Sequence, residues 1–320
     1  MASGTIGVHV VAPDAARIVD GIVHAEELGI PAVWLTTGGT APDGLTVLAA
    51  AAMRTSRVLL GTSIIPTFPR HPIVTAQQSL ALAALAPGRF RLGVGPSHKP
   101  AMEGVFGIPF RRPLAHLRAY LRVLKGLLQE GAADVEEAGI VAHARLAGPP
   151  PGIPVMASAL QRRSFELCGE LADGAITWIC PASYVRDVAL PALRAGAERA
   201  GRPAPPLIMH VPVCVLEDAA AVREAVRRTY AGYLRTISYP AMLASAGFPE
   251  AREGQWSDAM VDAVVLHGGE DTVAARLRAL FDLGVAEVIV SPVAAGAEPA
   301  ATVERTLRFL ADVARATSPA

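Results

Sequence analysis

The chain predicts an α/β fold, a closed (β/α)8 barrel (TIM barrel) with insertions. Three observations carry that expectation. Eight short apolar runs alternate with longer helix-period segments along the whole chain. Most of the runs lack polar alternation, as strands covered on both faces do. No Gly-x-Gly-x-x-Gly stands between the first strand and the first helix, so an open doubly wound sheet lacks its phosphate-binding turn.

The predicted strands are Thr5–Val11, Ala32–Thr36, Val58–Ile64, Phe90–Val94, Pro154–Ala157, Gly174–Trp178, Leu207–Val215 and Glu287–Ser291. Between them lie helical segments. Ala15–Leu28 stops at Gly29, a residue that accepts the left-handed conformation. Gly44–Arg54 follows Asp43, a short side-chain acceptor suited to an N-cap. Val74–Leu85 stops ahead of Pro87-Gly88, and Arg112–Gln129, Arg162–Leu171, Tyr184–Ala200, Ala219–Ser238, Thr272–Leu283 and Thr302–Ala316 follow. Two stretches exceed a simple barrel connection and read as insertions in a single domain, 1–320. The first, about 131–152, holds the strand-like Ile140–Leu146 and a Gly-Pro-Pro-Pro-Gly run; the second is about 239–267 and contains Trp256. Both are expected over the barrel mouth, where long loops carry function.

Composition narrows the function. Lysine plus arginine and aspartate plus glutamate both number 29 in 320 residues. No net charge draws the chain to nucleic acid or to an anionic membrane. No apolar stretch reaches the ~18 residues of a membrane span, and Met1–Ile6 opens without a basic segment and apolar run of a signal peptide. Cys168, Cys180 and Cys214 are odd in number and widely spaced, which fits reduced thiols and a cytoplasmic location. No His-Glu-x-x-His or Cys-x-x-Cys spacing suggests a metal, and no Gly-x-Ser-x-Gly suggests a nucleophile elbow. The expected partner is a small molecule.

Two strand-to-loop junctions stand out: Leu59-Leu-Gly-Thr-Ser-Ile-Ile-Pro-Thr-Phe-Pro-Arg-His-Pro72 and Gly88-Arg-Phe-Arg-Leu-Gly-Val-Gly-Pro-Ser-His98. In parallel α/β folds ligands gather where strands end. These pieces, with Ile153-Pro-Val-Met-Ala-Ser-Ala159 and Glu166-Leu-Cys-Gly-Glu-Leu-Ala-Asp-Gly174, resemble in order the luciferase-like superfamily. Within it the chain is similar to the oxidoreductases that use the deazaflavin coenzyme F420.

The resemblance implies a barrel, a homodimer, and a cofactor across the C-terminal mouth. It places a cis non-prolyl peptide at Ser63–Ile64 against the deazaflavin ring, with Thr62 before it. Gly95 would let backbone approach the flat ring, Pro96 follows, and Ser97 offers a hydroxyl to the tail. Ser158, Ala159, Leu160 and Gln161 lead into a helix start, where free N–H groups with Arg162 and Arg163 suit a phosphate or glutamate tail. Relatives often have Gly-Gly where Leu160-Gln161 stands. The sugar-phosphate dehydrogenases of the family carry Asp-His at Thr36-Thr37, and Thr-Gly-Glu at Pro96-Ser97-His98. Thr36 thus touches the cofactor region without supplying a base, which disfavours alcohol oxidation and favours reduction of a C=C or C=N bond. The candidate proton donors are His98 and His9, since imidazole titrates near neutrality; His71, His267 and Glu103 are weaker candidates. Two alternatives stay open: an FMN-dependent monooxygenase, and a cofactor-binding paralogue without turnover.

Overall fold

The computed structural model describes residues 4–317. Eight parallel strands form a ring: β1 (Thr5–His9), β2 (Ala32–Leu35), β3 (Leu59–Thr62), β4 (Phe90–Gly95), β5 (Val155–Ser158), β6 (Ala175–Trp178), β7 (Leu207–Val215) and β8 (Glu287–Pro292). Each pairs with the next in chain order. The ring closes where β8 meets β1, with Thr5 opposite Glu287 and Val8 opposite Val290. The expected (β/α)8 barrel is therefore the observed fold. Ile65–Pro66 resumes pairing with Val94 and Gly95 after a break at Ser63–Ile64, whose peptide bond is cis.

Helices cover the outside, and the expected caps form. The Asp14 carboxylate accepts from the Arg17 N–H at the start of Ala15–Leu28, which ends at Gly29 with φ 87°. Asp43 caps Gly44–Ala52 through Thr46 N–H. Several bounds differ from expectation. The helix expected over 219–238 stops at Tyr230 and tightens into a 3₁₀ turn, Ala231–Arg235, which contains the poor helix former Gly232. Pro113–Lys125 widens into one i→i+5 turn at Gly126–Glu130, and a second such turn at Val185–Ala189 precedes Leu190–Arg199. Pro72–Leu85 and Pro299–Thr317 start earlier than expected because proline suits the first helical position, and Glu270–Asp282 because its first turn is acidic.

The insertions divide in role. The first is an antiparallel hairpin, Ala132–Glu137 with Ile140–Arg145. It buries Ala133, Ile140 and Ala142 against helices Pro72–Leu85 and Pro113–Lys125. It therefore lies on the flank of the barrel, which corrects the expectation that it covers the mouth; its alternating pattern needed a helical face to cover it. The second insertion folds into helices Ser238–Ser245 and Asp258–Val264 and a short strand, Leu266–Gly268, on β7. Its first residue, Tyr239, reaches the mouth.

Strand side chains alternate between the barrel lumen and the helical layer. Ile6, Val8, Leu60 and Leu92 face outward into the main core. The inward set includes Ala32, Trp34, Met156, Ile176, Ile208 and Ile289, a separate cluster inside the ring. Trp34 is the plug. It is 0% exposed, and two glycines make room for it: a Cβ on Gly7 or Gly61 would lie 2.8 or 2.4 Å from its ring atoms. Its Nε1 donates to Glu287 Oε1 at 2.8 Å. The Arg91 guanidinium lies 4.4 Å over its ring and donates to both Glu287 oxygens, at 2.5 and 3.0 Å. Arg91 and Glu287 stand near the starts of β4 and β8, so this group seals the end opposite the mouth.

Removing one partner of a buried ion pair leaves the other uncompensated. Arg91→Met is expected to lower unfolding stability by about 3–5 kcal/mol, read by urea denaturation. A loss under about 1 kcal/mol would show that the plug does not depend on the pair.

Candidate active site

The strand ends bring a set of polar and aromatic residues to the upper lumen, His9 on β1, Ser63 after β3, Ser158 on β5, Trp178 on β6, His210 on β7 and Ser291 on β8, with Gly95 on β4 among them. Thr36, one residue past β2, sits exposed at the rim and donates from Oγ1 to the Ser63 carbonyl at 2.6 Å. Gly95 is closely packed by its neighbours: a Cβ there would lie 2.2 Å from Ser158 Oγ and 3.1 Å from Ile64 Cγ1, so only glycine fits between them. Ser63 is 7% exposed, and its Oγ is buried with no hydrogen-bond partner. A buried hydroxyl without a partner costs about 1–3 kcal/mol and marks a place where a polar ligand atom fits.

One side of the mouth is aromatic. Trp178 lies over His210, with centroids 4.3 Å apart, and edge-on to Tyr230 and Tyr233 at 5.5 and 6.0 Å. Tyr233 meets Tyr239 at 4.8 Å, and His98 closes the wall edge-on to Tyr239 at 5.6 Å. Burial raises the hydroxyls of Tyr230, Tyr233 and Tyr239 above their ordinary range, so all three stay protonated at neutral pH. Two residues just beyond strand ends hold left-handed backbone, Ser97 at φ 62° and Ile179 at φ 52°. Such conformations cost roughly 1–2 kcal/mol each and gather at ligand sites.

The imidazoles are neutral. Ser291 Oγ bridges His9 Nδ1 at 3.1 Å and His210 Nε2 at 2.8 Å. Burial lowers His9 to about 4. Burial, then the neighbouring His9, lowers His210 well below its ordinary range. Burial also lowers His98. Cys180, beside the mouth, is pushed up to about 12 by burial and remains a thiol.

The other expected residues have these places. The Thr62 hydroxyl is buried and tied to Gly93, donating to its carbonyl and accepting its N–H, both at 2.8 Å. It clamps β3 to β4, which leaves the Thr62 backbone for a ligand. Ala159 is buried, its N–H given to the Ile176 carbonyl at 2.9 Å. The Leu160 and Gln161 N–H groups both donate to Ser164 Oγ, at 3.1 and 3.0 Å. Those two donors are spent, which corrects their expected use as anion donors. Arg162 and Arg163 are exposed at the helix start. Pro96 and Ser97 are half-buried beside Gly95. His71 caps its helix by accepting from Ile73 N–H, His267 bonds Asp262 at 3.0 Å, and Glu103 accepts from Phe110 N–H at 3.1 Å, so these three are structural.

His210, Ser291 and the three tyrosines have no role in the sequence-based expectations. His210 had one available signal, a lone imidazole in a nine-residue apolar strand. The tyrosines had none, because their place follows from tertiary packing: Tyr230 and Tyr233 lie at the end of the helix after β7 and in the turn that follows it, and Tyr239 opens the second insertion.

The His9 shift sets a pH dependence. An unfolded imidazole titrates near 6.5, so between about 4 and 6.5 the unfolded chain binds the extra proton. This contribution is full above pH 6.5 and is lost as the pH falls toward 4, by on the order of 2–3 kcal/mol. His9→Asn is expected to flatten the fall in melting temperature between pH 6.5 and 4.5; an unchanged slope would show that His9 titrates normally.

Residues 1–287 match the family model described as luciferase-like monooxygenase. The 5,10-methylenetetrahydromethanopterin reductase of Methanolobus tindarius is 27% identical over 319 residues, covering 92% of this chain and 97% of that protein. The F420-dependent glucose-6-phosphate dehydrogenase of Beutenbergia cavernae is 34% identical over 227 residues, covering 64% and 66%. Among solved structures, an F420-dependent secondary alcohol dehydrogenase in complex with an F420-acetone adduct superposes with a TM-score of 0.82 at 17% identity, covering 99% and 100%. The match over most of the chain, on a barrel whose mouth carries these residues, shows that the chain belongs to the luciferase-like monooxygenase family.

Proposed function

We propose that this chain is an F420-dependent oxidoreductase that reduces an unsaturated C=C or C=N bond of a small molecule at the barrel mouth. The observation that carries the reading is the buried, unpartnered Ser63 hydroxyl at a strand end, where Gly95 presents backbone without a side chain between Ser158 and Ile64. A flat heterocycle with polar edges would answer that hydroxyl. Relatives named for F420 support the choice of a deazaflavin over FMN.

Reduced F420 supplies a hydride from ring C5 when bound. The protein binds, orients and keeps water away. Ser63 and Ser158 offer hydroxyls to the ring edge, and Gly95 lets backbone lie against it. Pro96 and Ser97 shape the adjoining loop, and Arg162 and Arg163 stand where an anionic tail leaves the mouth. Trp178, Tyr230, Tyr233 and Tyr239 form the dry wall on which substrate rests. The direction is reduction. Thr36 and Thr37 provide no base, and an imidazole held near 4 is a weak acceptor for an alcohol proton. His9 and His98 are the protein groups that hold a proton at the substrate.

Titration with F420 and with FMN, followed by absorbance and fluorescence, tests the reading. Micromolar F420 binding and much weaker FMN binding are expected; FMN binding alone would overturn the deazaflavin assignment. Gly95→Val forces a side chain against Ser158 and Ile64 and is expected to weaken F420 binding at least tenfold, about 1.4 kcal/mol, with an unchanged circular dichroism spectrum. Undiminished affinity would place the ring elsewhere.

A further inference from the structure

Ser291 has one proton and lies between two imidazole nitrogens, His9 Nδ1 at 3.1 Å and His210 Nε2 at 2.8 Å. The hydroxyl oxygen could accept from both rings, but its O–H has no other acceptor among the described residues, so the proton and both contacts are satisfied together only if one ring donates N–H to the oxygen and the other accepts its O–H. The tautomers of the two rings are thereby coupled. In one arrangement His210 donates from Nε2, Ser291 donates to His9 Nδ1, and the remaining N–H is on His9 Nε2. In the other, His9 donates from Nδ1, and the remaining N–H is on His210 Nδ1.

Burial decides between them. His210 is 4% exposed and Ser291 7%, whereas His9 is half-buried at the end of β1. Leaving an unmet donor on the more buried ring is the costlier choice. The first arrangement wins, and His9 presents Nε2–H at the mouth. The groups packed around the pair are Trp178 over His210 and the two rings against each other at 5.0 Å; no carboxylate or cation touches either ring among the described residues. His9 therefore serves as a neutral hydrogen-bond donor.

A neutral donor suits an oxygen that gains negative charge during reaction. It does not suit a nitrogen that must be protonated before hydride arrives, as an imine requires. We propose that Ser291 and His210 fix the tautomer of His9 so that its Nε2–H holds a carbonyl oxygen, and that the substrate is an α,β-unsaturated carbonyl compound. This rests on the F420 reductase reading above. Hydride from the reduced deazaflavin forms a C–H bond at the β-carbon. The C=C π pair shifts toward the carbonyl, its charge settles on the oxygen bonded to His9, and the α-carbon then takes a proton from water. The product is the saturated carbonyl compound and the cofactor is oxidised. Ser291 and His210 are positioning residues, since they act through His9.

Nitrogen-15 NMR of the cofactor-free protein labelled at histidine reads the tautomer directly. His9 is expected as the Nε2–H form. Ser291→Ala is expected to shift it toward a mixture, and Ser291→Thr, which keeps the hydroxyl, to restore it. With F420 in its reduced form, cyclohex-2-enone is expected to be reduced in preference to 1-pyrroline. His9→Ala should lower kcat for the enone about 100-fold with KM changed less than threefold, and Ser291→Ala should lower kcat by a smaller factor. An Nδ1–H form in the native protein, a tautomer indifferent to Ser291→Ala, or a preference for the imine would overturn the proposal. If the Nε2–H form is found but neither compound is reduced despite F420 binding, the reductase reading falls and takes the substrate class with it, while the tautomer assignment stands.

Discussion

The barrel depends on what fills its lower lumen. Trp34 occupies the centre, and the chain can close around so large a side chain only because Gly7 and Gly61 remove the atoms that would collide with it. Its one polar atom is answered by Glu287, whose charge is answered in turn by Arg91. The three residues come from β2, β8 and β4, so the network ties distant parts of the ring together. An indole in this position without its acceptor, or a carboxylate without its cation, would cost more than the packing returns.

With the lower end filled, the upper end is free to be polar. The lumen changes character within two residues along each strand. On β7 Ile208 belongs to the apolar cluster and His210 to the mouth; on β8 Ile289 is followed by Ser291. His9, Ser291 and His210 find partners in one another, whereas the Ser63 hydroxyl and the Trp178 Nε1–H are left unanswered. The left-handed backbone at Ser97 and Ile179 falls on the same rim. Local conformational cost and an unmet donor coincide where a ligand would repay both.

The electrostatics of the mouth follow from its burial. His9 and His210 are held neutral, and the tyrosines remain protonated. Hydrogen-bond donation, not ionised acid–base chemistry, is what such a surface offers. The exposed arginines at the start of Arg162–Leu171 stand outside this dry region, where water screens them and an anionic group can reach them.

The strands and their order were legible because continuous apolar runs and helix caps are local signals. Asp14, Asp43 and Gly29 act where the chain alone places them. Part of the mouth was legible too, since His9, Ser63, Gly95 and Ser158 stand at strand ends. The spent N–H groups of Leu160 and Gln161 were not, because Ser164 folds back on them only in the finished helix start. By itself the sequence determined a ring of eight buried strands and the end of it that meets ligand. Only the tertiary structure decided that His210 and Ser291 join His9, and that Tyr230, Tyr233 and Tyr239 wall the mouth, since contacts between residues up to 282 positions apart arise when the ring closes.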